Sequence, residues 1–364
     1  MKSDYKVYWL TNLPAPYRIP IFSDISSRYF LHVDFLLPTT NWRNWTVSDD
    51  INFSFSNLNL SYWKFSDFEF VPGLRFRRKE LFSSQFVVIG SWEAPQYIWT
   101  ALMAKIMKKK LVLIYESTLQ SQRYKNIIIE SIRSAFFRSG DLVVSFGPDS
   151  TEALLKMGVA RHYILQLFNP IPSISSIGLI SEGDPNVHKF LFVGQLIPRK
   201  NIDGLIRAFA MMRNSEDILT IVGEGECKSN LLHLVDKLDL QNRVKFVGHL
   251  EPSKMLNYYR QFDTLILPSF REVWGLVVNE ALANGLQVVV SDKCGSASFV
   301  KDMKGVYITD GTVDSLVKQM KKCSTNFQGK IQDPEIWEYD TAKFSQLFIE
   351  ALERISCKKR NDDC

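Results

Sequence analysis

Cysteine is scarce in this chain of 364 residues. The five present, Cys227, Cys294, Cys323, Cys357 and Cys364, are odd in number, widely spaced and never form a Cys-x-x-Cys pair. That pattern argues against a disulfide framework or a structural zinc site and for a reducing, cytoplasmic setting. Long apolar runs are also missing. The longest, Ile98 to Met107, is about half of the roughly 18 residues a membrane-spanning helix needs, and it runs into three lysines. The first residues carry Asp4 and turn polar by Thr11, so they read as a first strand and not as a secretion signal. The histidines, His32, His162, His188, His233 and His249, show no metal-ligand spacing.

What is present is the composition of a globular protein, with 46% hydrophobic and 23% charged residues. The length suits two domains of about 150–200 residues. Charge divides unevenly. Residues 1–172 hold 20 Lys+Arg against 14 Asp+Glu, whereas residues 173–364 hold 24 against 25. The basic excess sits in Arg75–Lys79 and Lys105–Lys110. It is either a solvated surface or an attraction to an anionic membrane or acceptor. Without a binding motif beside it, nucleic acid is not the expected partner.

Short runs rich in Val, Ile, Leu and Phe alternate with amphipathic segments along the whole chain. In the first half KVYWLT, HVDFLL, FVVIG, LVLIY and LVVSF predict strands; in the second, KFLFVG, LTIVG, VKFVG, TLILPS and QVVVSD do. Helical periodicity lies between them. Continuous apolar strands alternating with helices predict parallel sheets covered on both faces. Residues 169–186, rich in Pro, Ser and Gly without a sustained period, predict an interdomain linker. The expected organisation is an N-terminal Rossmann-like domain over 1–172, a second over 187–335, and a C-terminal helical segment over 336–364. Ligands of such sheets bind beyond the carboxyl ends of the strands, so the loops there are where chemistry is sought.

Three loops of the second half are informative. In FVGQLIPRKN, Arg199 and Lys200 precede a helix opened by Asn201, and cations beside free helix amides suit an anion. In IVGEGECKSN, Gly223 and Gly225 mark either close approach to a ligand or a tight turn, because a lone Gly-x-Gly is weak evidence. In SFREVWGLVVNEALANG, Gly275 opens a helix whose first amides, with those of Leu276 and Val277, would hold a diphosphate. Glu272 would then reach beyond the phosphates to hydroxyl groups. Glu280, about 8 Å further along the helix at 1.5 Å per residue, would accept from the two vicinal hydroxyls of a ribose. Sugar hydroxyls, diphosphate and ribose in that order describe a nucleotide sugar.

The run from FVGQLIPRKN to SDKCGS resembles the donor half of retaining glycosyltransferases of family 4, which adopt the GT-B fold. Glu272 and Glu280 match that family's E-x7-E motif. The resemblance covers residues 187–325 and implies that Glu280 binds the donor ribose, Glu272 the transferred sugar and Lys200 the diphosphate. Phe246–Leu250, with His249, resembles the segment bordering the base. Two positions depart from the family. Gln195 stands where arginine is usual, which shifts phosphate holding onto Lys200 and Arg199, and Gln287 stands where proline is usual.

TNLPAPYRIPIF, residues 11–22, resembles a PAPYR-like motif of a bacterial subgroup of that family found in polysaccharide assembly. Its prolines stiffen a loop from which Asn12, Tyr17 and Arg18 could face an acceptor. Trp92 in IGSWEAP is an acceptor-pocket candidate or a packed tryptophan. Glu116 in IYESTLQ is a candidate near the reacting carbon or a structural residue. No strict Asp-x-Asp occurs. That motif holds a divalent metal in the other major glycosyltransferase fold.

The expectation is therefore a GT-B protein of two doubly wound domains facing across a cleft, with the last helix returning to the first domain. It would transfer a sugar, with retention and without a metal, from a UDP- or GDP-sugar to a lipid-linked saccharide in O-antigen, capsule or similar assembly, with no cofactor. A cytoplasmic protein touching the inner face of the membrane fits that role. A nucleotide-sugar 2-epimerase of the same fold, or a non-catalytic nucleotide-binding partner, is the alternative.

Overall fold

The computed structural model describes residues 3–37, 51–65, 68–75, 78–122, 126–171, 187–212 and 216–357. Most of the expected linker, two residues of the Arg75–Lys79 stretch and Cys364 lie outside them. The chain forms two compact units. The first comprises Met1–Glu116, Gln122–Pro172 and Asp340–Cys364; the second comprises Ser117–Ser121 and Ser173–Tyr339.

In the first unit the strands are β1 (Lys6–Thr11), β2 (Phe30–Phe35), β3 (Ser54–Asn57), β4 (Trp63–Phe65), β5 (Phe68–Phe70), β6 (Phe86–Ile89), β7 (Lys110–Tyr115), β8 (Leu142–Phe146) and β9 (Ile164–Leu167). Its helices are α1 (Ile19–Arg28), α2 (Arg78–Ser83), α3 (Pro95–Ile106), α4 (Ile127–Arg138) and α5 (Gly147–Lys156). Seven strands form one parallel sheet in the order β3-β2-β1-β6-β7-β8-β9, while β4 and β5 pair as an antiparallel ribbon. Every residue of β6 and β8 is buried, as a sheet with both faces covered requires. The last helix of the chain, Thr341–Cys357, packs on α1. Its Phe348 ring lies 5.2 Å from Trp9, which in turn meets Phe22 of α1 at 5.1 Å. Phe344 sits 6.1 Å from both Phe146 and Phe168. Truncating a ring as buried as Phe348 costs about 3–5 kcal/mol, so this helix belongs to the first unit's core.

The second unit contains α6 (Ile202–Ala210), α7 (Lys228–Lys237), α8 (Pro252–Tyr259), α9 (Leu276–Ala283), α10 (Ala297–Val300) and α11 (Val313–Thr325). Its strands are β10 (Lys189–Val193), β11 (Ile218–Val222), β12 (Val244–Gly248), β13 (Thr264–Leu267), β14 (Gln287–Ser291) and β15 (Val306–Thr309), parallel in the order β12-β11-β10-β13-β14-β15. The helix at Thr341–Cys357, labelled α12, closes the chain.

Strand order reverses once in each sheet, between β1 and β6 and between β10 and β13. In doubly wound folds a ligand binds at that switch, outside the carboxyl ends of the strands. The loops leaving β1 and β6, and those leaving β10 and β13, are therefore the places to look.

One strand was read with a different start, and several other elements were not read from sequence. The β2 strand starts two residues earlier than HVDFLL suggests, at Phe30. The β9 strand has only four residues and β15 is half-buried, so neither makes an apolar run. The α11 helix buries Leu316, Val317, Met320 and Cys323, and Thr312 caps it by accepting from the Ser315 amide. Its stripe was legible but lay beyond the last motif.

Candidate active site

The switch loops of the second unit are fixed to one another mainly by backbone. A Cβ on Gly223 would stand 1.9 Å from the Gly194 carbonyl oxygen, and one on Gly225 would stand 2.4 Å from that of Leu196. The Leu196 amide donates to the Glu224 carbonyl at 2.9 Å, and the Gly194 amide to that of Val222 at 3.0 Å. Both glycines allow the loops after β10 and β11 to touch. Gly223, a donor-contact candidate, thus also has a packing role. Asn201, buried and left-handed at φ 56°, ties the β10 loop across the switch. Its amide donates to the carbonyls of Pro268 at 3.1 Å and Gly311 at 2.8 Å.

Held this way, Lys200 and Arg199 both meet Glu272. The nearly buried Lys200 ammonium pairs with Glu272 Oε2, and Arg199 Nη1 donates to the same oxygen at 3.1 Å and to the Arg271 carbonyl at 3.1 Å. Burial alone would raise the Glu272 carboxyl; the two cations outweigh it and hold it below the usual carboxylate range. The Glu272 loop is laced to the loop after β14 through its amide, which donates to the Lys293 carbonyl at 3.2 Å, and through its carbonyl, which accepts from Gly295 at 3.1 Å. A Cβ on Gly295 would stand 1.9 Å from the Val273 oxygen.

Helix α9 begins beside this cluster. Gly275 is its N-cap at φ 92°, and a Cβ there would meet Leu267 Cδ2 at 2.6 Å. Being glycine, the N-cap offers no side chain to cap the helix. The first amides of any helix lack intrahelical acceptors and carry its positive end, so those of Gly275, Leu276 and Val277 suit an anion. One turn further, Tyr259 Oη donates to Glu280 Oε2 at 2.7 Å. Burial raises the Glu280 carboxyl, and the tyrosine hydrogen bond offsets part of that rise. Among the described residues Glu280 Oε1 accepts no hydrogen bond. Gln195 and His249 are exposed.

Beside the first unit's switch, two candidates chosen from separate motifs meet. Arg18, the residue before α1, forms an ion pair with Glu116, just past β7. Arg18 Nη1 also approaches Thr11 Oγ1 at 3.5 Å, and its guanidinium lies 5.8 Å from the Tyr17 ring centre. Trp9, Tyr17, Arg18, Phe146, Asn169 and Phe344 line a small, mostly apolar crevice here. Asn12 is exposed. Trp92 is half-buried beneath the guanidinium of buried Arg133, 5.6 Å from its ring centre. Arg133 Nη2 donates to Gln122 Oε1 at 2.8 Å, and Gln122 Nε2 to Tyr115 Oη at 2.7 Å.

Residues 181–333 match the family model of glycosyl transferases group 1. All the residues of the Lys200, Glu272, Gly275 and Glu280 cluster fall inside that group 1 segment. An uncharacterized glycosyltransferase of Methanocaldococcus jannaschii is 32% identical over 128 residues, covering 35% of this chain and 33% of the relative. The chain spans about a third of the length of the curated relatives it matches. The Anabaena protein Alr3699/HepE, solved with UDP and glucose, aligns at a TM-score of 0.69 and 16% identity over 96% of this chain and all of that one. The lipopolysaccharide outer core galactosyltransferase WaaB gives the same score and identity, over 96% and 99%. The fold is thus that of the GT-B glycosyltransferases.

Sequence reasoning missed Tyr259, Arg133 and Asn201 as site-building residues. Tyr259 lies 21 positions from Glu280, and no local pattern joins them. Asn201 was read only as a helix opener, although a left-handed asparagine before a helix is a known signal.

Proposed function

We propose that this protein is a retaining glycosyltransferase, moving a sugar from a UDP- or GDP-sugar to a hydroxyl of a lipid-linked saccharide in surface polysaccharide assembly. The observation that carries the reading is the convergence at the β10/β13 switch of two cations, an uncapped helix start and two carboxylates in unlike environments. The group 1 match over this segment supports it, and so do fold neighbours solved with UDP. The diphosphate lies against the amides of Gly275 to Val277 and takes Lys200 and Arg199 as counter-charges, releasing the Glu272 carboxylate to accept from hydroxyls of the sugar. Glu280 Oε1 accepts from the ribose.

In the transfer step the bond from the sugar's anomeric carbon to the diphosphate oxygen breaks, and its electron pair stays on the diphosphate. The acceptor oxygen bonds to that carbon on the same face and passes its proton to the departing oxygen. The lysine, the arginine and the helix amides stabilise the charge that develops there. No metal and no cofactor enters this scheme. Arg18, Glu116, Tyr17 and Trp92 bind the acceptor. A cytoplasmic protein peripheral to the membrane suits such an acceptor.

A thermal-shift screen with UDP, GDP, ADP and their sugars tests the donor site, because ligand that binds only the folded state raises the midpoint. Incubation of the responding nucleotide sugar with and without an acceptor, followed by NMR of the product anomer, tests the reaction. Inversion at the anomeric carbon, or conversion of the donor alone to an epimer, sinks it.

A further inference from the structure

Glu280 stands on α9 with one of its two carboxylate oxygens already engaged. Tyr259, the last residue of α8, donates its phenol hydrogen to Glu280 Oε2 at 2.7 Å. The tyrosine is 1% exposed. Burial, and then the adjoining Glu280, push its ionisation well above the ordinary tyrosine value, so its hydroxyl stays a donor at any working pH. The backbone of Glu280 is held as well. Its carbonyl accepts from the Asn284 side-chain amide at 2.8 Å and from the Asn284 backbone amide at 3.2 Å. A glutamate loose in solvent samples many rotamers, and ordering it on a ligand costs entropy that a hydrogen bond made beforehand removes. Oε1, which accepts no hydrogen bond among the described residues, is the oxygen left for a ligand.

The same hydrogen bond opposes the effect of burial. A buried carboxyl is driven toward its protonated form, and a donor to the charged form resists that drive. Both act on Glu280, burial the more strongly. Tyr259 is the titratable group that faces it from α8. Among the described residues no lysine, arginine or second carboxylate shifts it from α9 itself, from β13 and β14, or from the turn Glu335–Glu338 packed on the helix. An ionised carboxylate only accepts, whereas a protonated one gives up part of that capacity. Two vicinal hydroxyls therefore need Glu280 both aimed and ionised, and the tyrosine serves both ends.

We infer that Tyr259 is a positioning residue for the nucleotide: its phenol holds Glu280 Oε2 so that Oε1 is presented to the hydroxyls of the donor ribose. This deepens the proposed function and rests on its assignment of Glu280 to the ribose.

The probes are whichever of UDP and GDP raises the wild-type melting midpoint, and the 2′,3′-dideoxy form of that nucleotide. Both are titrated into full-length protein across the acidic range. Tyr259→Phe keeps the ring and removes the hydroxyl. It should weaken the ribonucleotide about tenfold and the dideoxy form less than about twofold. It should also move upward the pH at which ribonucleotide binding fades. In a Glu280→Gln background the same change should cost nothing further. A tyrosine that merely filled the core would instead lower the unliganded midpoint and weaken both nucleotides alike. That outcome overturns the inference, as does wild-type affinity or an unmoved pH profile in folded Tyr259→Phe. Should the single variant not fold, Tyr259→Phe/Glu280→Gln is compared with Glu280→Gln alone, and either a further loss or a double variant that also fails to fold counts against the inference. Wild-type protein that responds to neither nucleotide sinks the glycosyltransferase reading and this inference with it. Wild-type protein that binds both forms equally removes Glu280 from the ribose and leaves donor binding intact.

Discussion

The two units solve the same problem with different materials. Each is a parallel sheet with one switch point, and each sets a cation from a switch loop against a carboxylate: Lys200 and Arg199 with Glu272 in the second, Arg18 with Glu116, just past β7, in the first. In the second unit the loops that carry these groups touch backbone to backbone, at Gly223 on Gly194, Gly225 on Leu196 and Gly295 on Val273. In the first unit the loop after β1 carries Pro14 and Pro16 and leads into α1, whose Phe22 packs on Trp9. Backbone contact admits only glycine, whereas aromatic packing admits many combinations. The loops of the second site should therefore tolerate few substitutions at these glycines, whereas the proline loop of the first should tolerate more.

That difference predicts unequal damage. Gly295→Val puts a branched side chain into the Val273 carbonyl, and Gly275→Val adds left-handed strain of about 1–3 kcal/mol to overpacking of about 1–3 kcal/mol. Each should lower unfolding free energy by several kcal/mol in urea titration and abolish the UDP-induced midpoint shift. Pro16→Ala, at an exposed position of the first loop, should cost less than about 1 kcal/mol. Equal losses in the two loops would remove the contrast.

Activity should divide the same way. Glu272→Ala should lower turnover at least roughly 100-fold, about 2.7 kcal/mol of transition-state stabilisation, whatever acceptor is offered. Near-normal transfer by a folded variant would falsify the role given to Glu272. Glu116→Gln, which breaks the Arg18 pair but keeps its shape, should raise the acceptor KM about tenfold and leave donor affinity unchanged. Steady-state kinetics with each substrate varied in turn separates the two. A Glu116→Gln variant that instead loses UDP binding would place this residue in the donor machinery.

Legibility followed the same line. The strands β1, β6, β7, β8, β10, β11, β13 and β14 were plain in the sequence because two covered faces demand unbroken apolar runs. Strands β3 and β9 were not, since they lie at sheet edges where the pattern weakens. Glu272, Gly275 and Glu280 stand within nine residues of one another, on a single loop and helix, so spacing could expose them. Lys200's partner is 72 positions away, and the Arg18–Glu116 pair joins two distant loops. Long-range pairs leave no local trace, and only the fold brought them together. The Gly-x-Gly at Gly223 could be seen but not interpreted, because a glycine that admits a ligand and one that admits a neighbouring loop look alike.

The two carboxylates of the second unit supply the finest test. Burial and the adjacent cations leave Glu272 with a carboxyl below its usual range, while burial leaves Glu280 above it. For Glu272 the unfolded chain takes up the proton first as pH falls. Its contribution to stability is then complete above the unfolded value of about 4.3 and disappears as pH drops through the folded one. For Glu280 the order is reversed. The folded protein takes up the proton first, so ionised Glu280 costs stability at neutral pH and the cost is relieved as pH falls through its raised folded value. At neutral pH Glu272→Gln should therefore lower the melting midpoint, leaving Lys200 buried without its counter-charge, while Glu280→Gln should raise it slightly. Under the proposed function Glu280 accepts from ribose hydroxyls, which an ionised carboxylate does best, so UDP affinity should weaken as pH falls through that raised value, and the Glu280→Gln variant should lose this dependence. Calorimetric midpoints for both variants and titrations of UDP across the acidic range give the answer. Midpoints that shift in the same direction, or a pH dependence that survives in Glu280→Gln, would show that the two carboxylates do not differ in the way their surroundings imply.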